Sequence, residues 1–285
     1  MPTLSDLILY PIKSCAGLSL SQAVLTTAGL STADGQLGDR EWMVVDANGG
    51  YMTQRDVPRM ALITPSLQAQ TLTLTCPGMP ALTLALARPD PAAAATRRVQ
   101  IWDDSLRAID CGDAAAAWFG AALGVACRLV RFHGGAVRAV SRKWTGDVAA
   151  TTLFSDGFPI LVIGRASLDD LNDKLRRAGR AALPMNRFRP NLVIDGIDAF
   201  EEDYADTLDL GGVRVKPVKP CPRCPMPSID QASAEFGPDP LDILQAYRVN
   251  PALDGAICFG MNAIVTAGSG ALVQVGQEIA LTLAF

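Results

Sequence analysis

Between residues 71 and 86 the chain alternates strictly, with Thr71-Leu72-Thr73-Leu74-Thr75 and Leu82-Thr83-Leu84-Ala85-Leu86 flanking Pro77-Gly78-Met79-Pro80. A period of two puts successive side chains on opposite faces of a strand, and the Pro-Gly pair is turn chemistry. The pattern predicts a hairpin whose leucine face is buried. Residues 41–46, the turn-forming Asn48-Gly49-Gly50 and residues 51–54 predict another. Residues 191–195 read as a buried strand, and residues 271–285 alternate around Gly276-Gln277, predicting a closing hairpin.

Helical periodicity is confined to short stretches. Asp113 is a candidate N-cap for residues 114–123, with Gly124 placed to end that helix. Ser167 is a candidate cap for a helix carrying Leu168, Leu171 and Leu175 on one face, stopped at Gly179. Asp239-Pro240 opens a short helix with Leu241, Leu244 and Tyr247 on one side. Asp90-Pro91 and the alanines at 92–95 have no apolar face and predict an exposed loop. The sum is a mostly β protein with a few helices, α+β in class, divided after the first helix into residues 1–125 and 126–285.

Composition narrows the function. An apolar content of 49% over 285 residues buries a substantial core. Lys and Arg number 25 against 29 for Asp and Glu, and a net charge of -4 offers no field for nucleic acid or an anionic membrane. The longest dense apolar run, residues 158–163, is too short to span a bilayer, and residues 1–6 lack the flank of a secretion signal. The expected location is the cytoplasm. Seven scattered cysteines predict reduced thiols, and the single His133 weighs against a His-rich metal site and against His-dependent hydrolytic triads.

Pro220-Cys221-Pro222-Arg223-Cys224-Pro225-Met226-Pro227 crowds prolines around two thiols, so it reads as a rigid exposed loop and not as the start of a regular helix. Arg223, between the thiols, favours the thiolate that a soft-metal ligand or nucleophile requires. From spacing alone, an idle cysteine pair or a zinc ligand pair stays open. A complete structural zinc site is not visible, because no second CxxC or paired His occurs.

Further motifs occur along nearly the whole chain: Tyr10-Pro11-Ile12-Lys13-Ser14-Cys15, Gly38-Asp39-Arg40-Glu41-Trp42, Thr53-Gln54-Arg55-Asp56-Val57-Pro58-Arg59, Ser155-Asp156-Gly157-Phe158-Pro159 and Phe188-Arg189-Pro190-Asn191. They precede the cysteine segment, which is followed by Pro240-Leu241 with Tyr247-Arg248 and by Val275-Gly276. In this order they resemble the MOSC-domain proteins, in particular the mitochondrial amidoxime-reducing components and their bacterial counterparts. The resemblance implies a MOSC N-terminal β-barrel-like domain packed on a MOSC β-barrel domain that carries the cysteine loop. It also implies a molybdenum cofactor, molybdopterin with no pyridoxal phosphate, whose metal is held by the pterin dithiolene and by the second loop cysteine, Cys224.

The same resemblance assigns Cys224 and Asp156 to catalysis and Lys13, Ser14, Arg40, Ser155, Arg189 and Asn191 to cofactor binding. A cofactor phosphate suits guanidinium forks, an ammonium and hydroxyls, which Lys13, Ser14, Arg40 and Arg189 supply. Ser155 and Asp156 either form a local turn before an apolar strand or stand near the metal. The Asn191 amide either pairs with the pterin edge or caps its loop. The implied activity is removal of oxygen from an N-hydroxylated small molecule, an amidoxime or hydroxylamine. No four-cysteine iron-sulfur set is present, so electrons would come from a separate protein, a ferredoxin, a flavodoxin or a cytochrome with its reductase. The alternative is a molybdenum-cofactor carrier or sulfur-transfer protein using a loop cysteine. One departure stands out: the amidoxime reducers carry paired threonines and an acidic segment after the cysteine loop, where this chain has Met226-Pro227-Ser228-Ile229-Asp230-Gln231. That difference leaves substrate scope open.

Overall fold

The computed structural model describes residues 1–284. Its largest sheet runs, in spatial order, Leu18–Leu20, Thr3–Leu9, Leu192–Asp195, Ile160–Gly164, Ala256–Ala267, Arg214–Pro222, Ala205–Asp209 and Ala280–Leu283. Neighbours are antiparallel except Ile160–Gly164 and Leu192–Asp195, which are parallel. Parallel neighbours need a crossover, and the Arg165–Arg177 helix supplies it. The buried Leu168, Leu171 and Leu175 of that helix pack in one cluster with Phe188 and Phe259. Smaller sheets complete a mostly β architecture: Trp42–Val45 with Arg128–Phe132, Asp104–Asp110 and Thr96–Ile101; Ala271–Gln274 with Gln22–Thr26 and Gly29–Ser31; Thr64–Gln68 with Thr71–Thr75 and Leu82–Ala85.

The alternating leucines behave as their period requires. Thr71–Thr75 pairs with Leu82–Ala85, and Leu72 and Leu74 are fully buried. The closing hairpin expected over residues 271–285 does not form. Ala271–Gln274 pairs with Gln22–Thr26, and Ala280–Leu283 pairs with Ala205–Asp209, while Phe285 lies outside the described residues. Alternation specifies which face of a strand is buried and is silent on the partner that buries it.

Ser167 is not the helix cap either. The helix starts earlier, at Arg165, because the buried Glu202 carboxylate accepts from the Gly164 N–H at 3.0 Å and from the Ser167 hydroxyl at 2.8 Å. That hydroxyl in turn accepts the Phe200 N–H at 2.7 Å, so Ser167 ties the helix to the chain instead of opening it.

The two parts of the chain interlock. Thr3–Leu9 lies inside the large sheet, Gln22–Thr26 pairs with the distant Ala271–Gln274, and Arg128–Phe132 completes a sheet with Trp42–Val45. Gly260 marks a close approach within this framework. Its φ is +76°, and a Cβ there would stand 2.6 Å from Ile163 Cγ1 and 2.8 Å from the Val162 carbonyl oxygen. Left-handed backbone and overpacking each cost a non-glycine residue, so Gly260→Ala is expected to lose about 2–4 kcal/mol of stability. An unchanged urea midpoint with unchanged slope would show that the strand accommodates a methyl group there.

Candidate active site

Interlocking brings Tyr10–Cys15, 38–42 and 153–156 together. The Arg40 N–H donates to the Tyr10 carbonyl at 2.6 Å, the Lys13 N–H to Trp42 at 2.8 Å, and the Phe154 N–H to Arg40 at 3.0 Å. Gln54 donates its side-chain amide to the Ser14 carbonyl at 2.7 Å and so holds the Thr53-Gln54-Arg55 segment against the same knot. From the opposite side, the Arg223 guanidinium donates to the Phe188 carbonyl at 2.9 Å, joining the cysteine segment to Phe188-Arg189.

A cavity of about 400 Å³ opens between these segments. Lys13, Ser14, Arg40, Ser155, Asp156, Arg189, Asn191 and Cys224, the complete set expected from sequence, all line it. Ser14, Arg40 and Arg189 carry left-handed backbone, with φ of 66°, 51° and 58°. For Arg189 this is doubly unfavourable, because the following proline pushes its neighbour toward extended backbone. Such strain, about 1–3 kcal/mol per residue, is held by surrounding structure and gathers at functional sites.

Charge in the cavity is lopsided. Lys13, Arg40, Arg55, Arg189, Lys219 and Arg223 line it, with Asp156 the one carboxylate among its lining residues. The Arg40 and Arg189 guanidiniums both lie over the Tyr10 ring, at 4.3 and 4.2 Å from its centroid. Arg40 is also paired with the buried Asp39 carboxylate. Arg189 has no such acid: it is buried, and its Nη2 has no hydrogen-bond partner among the described residues. Burial, only partly offset by Tyr10, pulls its pKa below the ordinary value.

Lys13 is buried and donates to the Phe154 carbonyl at 3.2 Å and to Asp156. Burial lowers its pKa, against the pull of Asp156. The Asp156 side chain keeps 68% of its surface open and lines the cavity. Crowding by the cavity walls works to raise its pKa. The Lys13 charge and hydrogen bond, a bond from Trp102 Nε1 at 3.2 Å and the Arg40 charge more than offset this and hold it below the usual carboxylate range. Asp156 is therefore ionised and acts as an acceptor.

The Asn191 amide is taken up within the protein. Its oxygen accepts from the Leu161 N–H at 3.1 Å and from Arg40 at 3.2 Å, and its nitrogen donates to the Ile8 carbonyl at 3.1 Å and to Asp39 at 3.0 Å. None of these four partners lies in its own loop, so the amide braces the neighbouring segments around residues 8, 39–40 and 161. The cysteine segment also differs from a free loop: Cys221 sits on the Arg214–Pro222 strand, both thiols are half-buried, and the Arg223 guanidinium reaches Cys221 Sγ at 3.3 Å and not Cys224.

Several supporting residues had no role assigned from sequence. Asp39 and Tyr10 lie inside recognised motifs, and their burial is what gives them their part. Asp39 accepts from the Tyr10 N–H at 2.8 Å while bridging Arg40 and Asn191. Burial raises its pKa, opposed by Arg40 and these bonds. Arg138 donates to the carbonyls of Leu153 at 2.5 Å and Ser155 at 2.8 Å, fixing the loop before Asp156. Neither Arg138 nor Trp102 carries a local sequence signal, since only the fold brings them to the site.

These residues suit a molybdenum–pterin group. The buried, unmatched Arg189 nitrogen and the surplus of cations call for an anion, and Cys224 puts a soft donor on the same cavity. A structural zinc is poorly served: among the described residues no cluster of His, Cys, Asp or Glu has a metal-holding set of three or more.

Comparison with known proteins agrees. The MOSC N-terminal beta barrel domain matches residues 1–126 and the MOSC domain matches residues 149–280. The human mitochondrial amidoxime reducing component 2 is 36% identical over 251 residues, covering 87% of this chain and 72% of that protein. The mouse mitochondrial amidoxime-reducing component 1 is 36% identical over 254 residues, with the same shares of 87% and 72%. Molybdenum cofactor sulfurase of zebrafish is 31% identical over 275 residues, which span 91% of this chain but 31% of that protein. The chain thus belongs to the family of MOSC-domain proteins that includes the mitochondrial amidoxime-reducing components.

Proposed function

We propose that this protein is an oxidoreductase that binds a molybdenum cofactor through Cys224 and removes oxygen from N-hydroxylated compounds, using electrons from a separate donor protein. The observation that carries the reading is the cavity itself: a thiol, an ionised carboxylate and an unmatched buried guanidinium face one space of about 400 Å³. The relatives named amidoxime reducing components supply the reaction class. In overall balance an amidoxime, two electrons and two protons give an amidine and water. The bound cofactor supplies the two-electron chemistry.

The protein's own residues hold and orient. Cys224 would ligate the metal, while Arg189, Arg40 and the Ser14 hydroxyl would receive the cofactor's phosphate. Lys13 keeps one ammonium proton beyond its two acceptors for the same anion. Asn191 and Asp39 act on Arg40 by fixing its position. Asp156, ionised and steadied by Lys13 and Trp102, is suited to accept a hydrogen bond from a substrate N–H or O–H and so to orient the N–O bond. The cofactor-carrier or sulfur-transfer alternative is favoured by the likeness to the sulfurase, but that likeness spans only 31% of the sulfurase. No helix among the described residues is long and apolar enough to cross a membrane.

The test combines composition with activity. Purified protein should carry molybdenum and pterin in equal amounts and reduce benzamidoxime when a chemical reductant is supplied. It should not oxidise NADH alone, because these 285 residues hold neither a glycine-rich dinucleotide fingerprint nor an iron-sulfur cysteine set. Absence of pterin, or no benzamidine formed with dithionite present, would overturn the reading. NADH turnover by the pure protein would remove the separate donor.

A further inference from the structure

Away from Arg40 and Arg189, part of the cavity wall is built differently. Lys219 and Asn262 face each other across paired strands, Arg214–Pro222 and Ala256–Ala267, and both line the cavity. Lys219 forms no salt bridge and no side-chain hydrogen bond among the described residues. Its ammonium instead lies 5.2 Å from the Trp144 ring centroid and 5.8 Å from that of Phe158. Phe158 also lines the cavity, as does Trp102 with Arg55 set over its ring at 5.5 Å. Flat apolar surface is thus combined with a cation that no protein acid has claimed, a few residues before Cys224 in the chain.

We propose that Lys219, with the Asn262 amide and the Phe158 ring, forms a substrate subsite that selects flat N-hydroxylated compounds carrying a carboxylate. The proposal rests on the reductase reading and names its substrate class. An aromatic ring packs on Phe158, and a carboxylate on that ring accepts from the Lys219 ammonium and the Asn262 N–H groups, which have no acceptor among the described residues to give up. The cofactor's own anion is better served elsewhere, by the buried Arg189 with its unpartnered nitrogen.

Binding to the cofactor-loaded protein tests this without turnover. Calorimetry with benzamidoxime and 4-carboxybenzamidoxime, no reductant present, should give about ten-fold tighter binding of the carboxylated compound, as one charge-assisted hydrogen bond provides. In Lys219→Gln the ratio of the two dissociation constants should fall to about one. The oxygen-free pair, benzamidine and 4-carboxybenzamidine, should show the same Lys219-dependent ratio, because the subsite reads the carboxylate and not the N–O group. No preference in the wild type, or a preference that survives Lys219→Gln, would overturn the subsite. Loss of molybdenum from Lys219→Gln would also overturn it, by assigning the ammonium to the cofactor. If the carboxylate preference holds but dithionite drives no reduction of either amidoxime, the reductase reading fails and the subsite stands.

Discussion

Cys224→Ser is expected to strip the protein of molybdenum, while Cys221→Ser retains most of it. The thiols differ in their surroundings. Cys221 lies on a strand and is engaged by the Arg223 guanidinium at 3.3 Å, and Cys224 is the second loop cysteine that the family resemblance makes the ligand; both line the cavity. A serine oxygen is a far poorer ligand than a thiolate for a soft metal centre, so the metal-to-protein ratio should approach zero in Cys224→Ser. Elemental analysis after loading with cofactor decides it. Equal molybdenum in wild type and Cys224→Ser would remove Cys224 as the ligand, and loss confined to Cys221→Ser would move the assignment to that residue.

The second large effect has opposite signs in two measurements. Arg189→Met should weaken cofactor binding by about ten- to a hundred-fold, the worth of a charge-assisted contact to an anion. In the cofactor-free protein the same substitution should raise the thermal midpoint. Among the described residues Arg189 is buried with no acid partner and an unsatisfied nitrogen, and desolvating such a cation costs several kcal/mol. Its stacking on Tyr10 at 4.2 Å returns only about 0.5–2 kcal/mol. A lowered midpoint together with normal cofactor retention would show that Arg189 serves the fold and not an anion.

These opposing expectations follow from an arrangement in which the candidate binding residues are held at local expense. Left-handed backbone at Ser14, Arg40 and Arg189 and a carboxylate buried at Asp39 are unfavourable singly. They persist because the large sheet, the Arg138 clasp on residues 153–155 and the Asn191 amide over-determine them. A site prepared in this way loses little freedom when an anion arrives.

The sequence by itself determined the secondary structure wherever a period or a cap was strong, as in the Thr71–Thr75 and Leu82–Ala85 hairpin and the leucine face of the Arg165–Arg177 helix. It also determined the family and the candidate residues, because short motifs retain their order and their residue types along the chain. Only the tertiary structure decided which strands pair: the alternation after residue 271 carries no record that its partners are Gln22–Thr26 and Ala205–Asp209. Only it decided how the candidate site is arranged, with Arg189 unmatched among the described residues, Asn191 consumed internally, Arg223 turned to Cys221, and Trp102 and Arg138 recruited without any motif. The physical reason is common to all of these. Local pattern reports a residue's own preference for helix, strand or turn, whereas burial, pairing and charge balance belong to neighbours that lie far away in sequence and meet only in the folded chain.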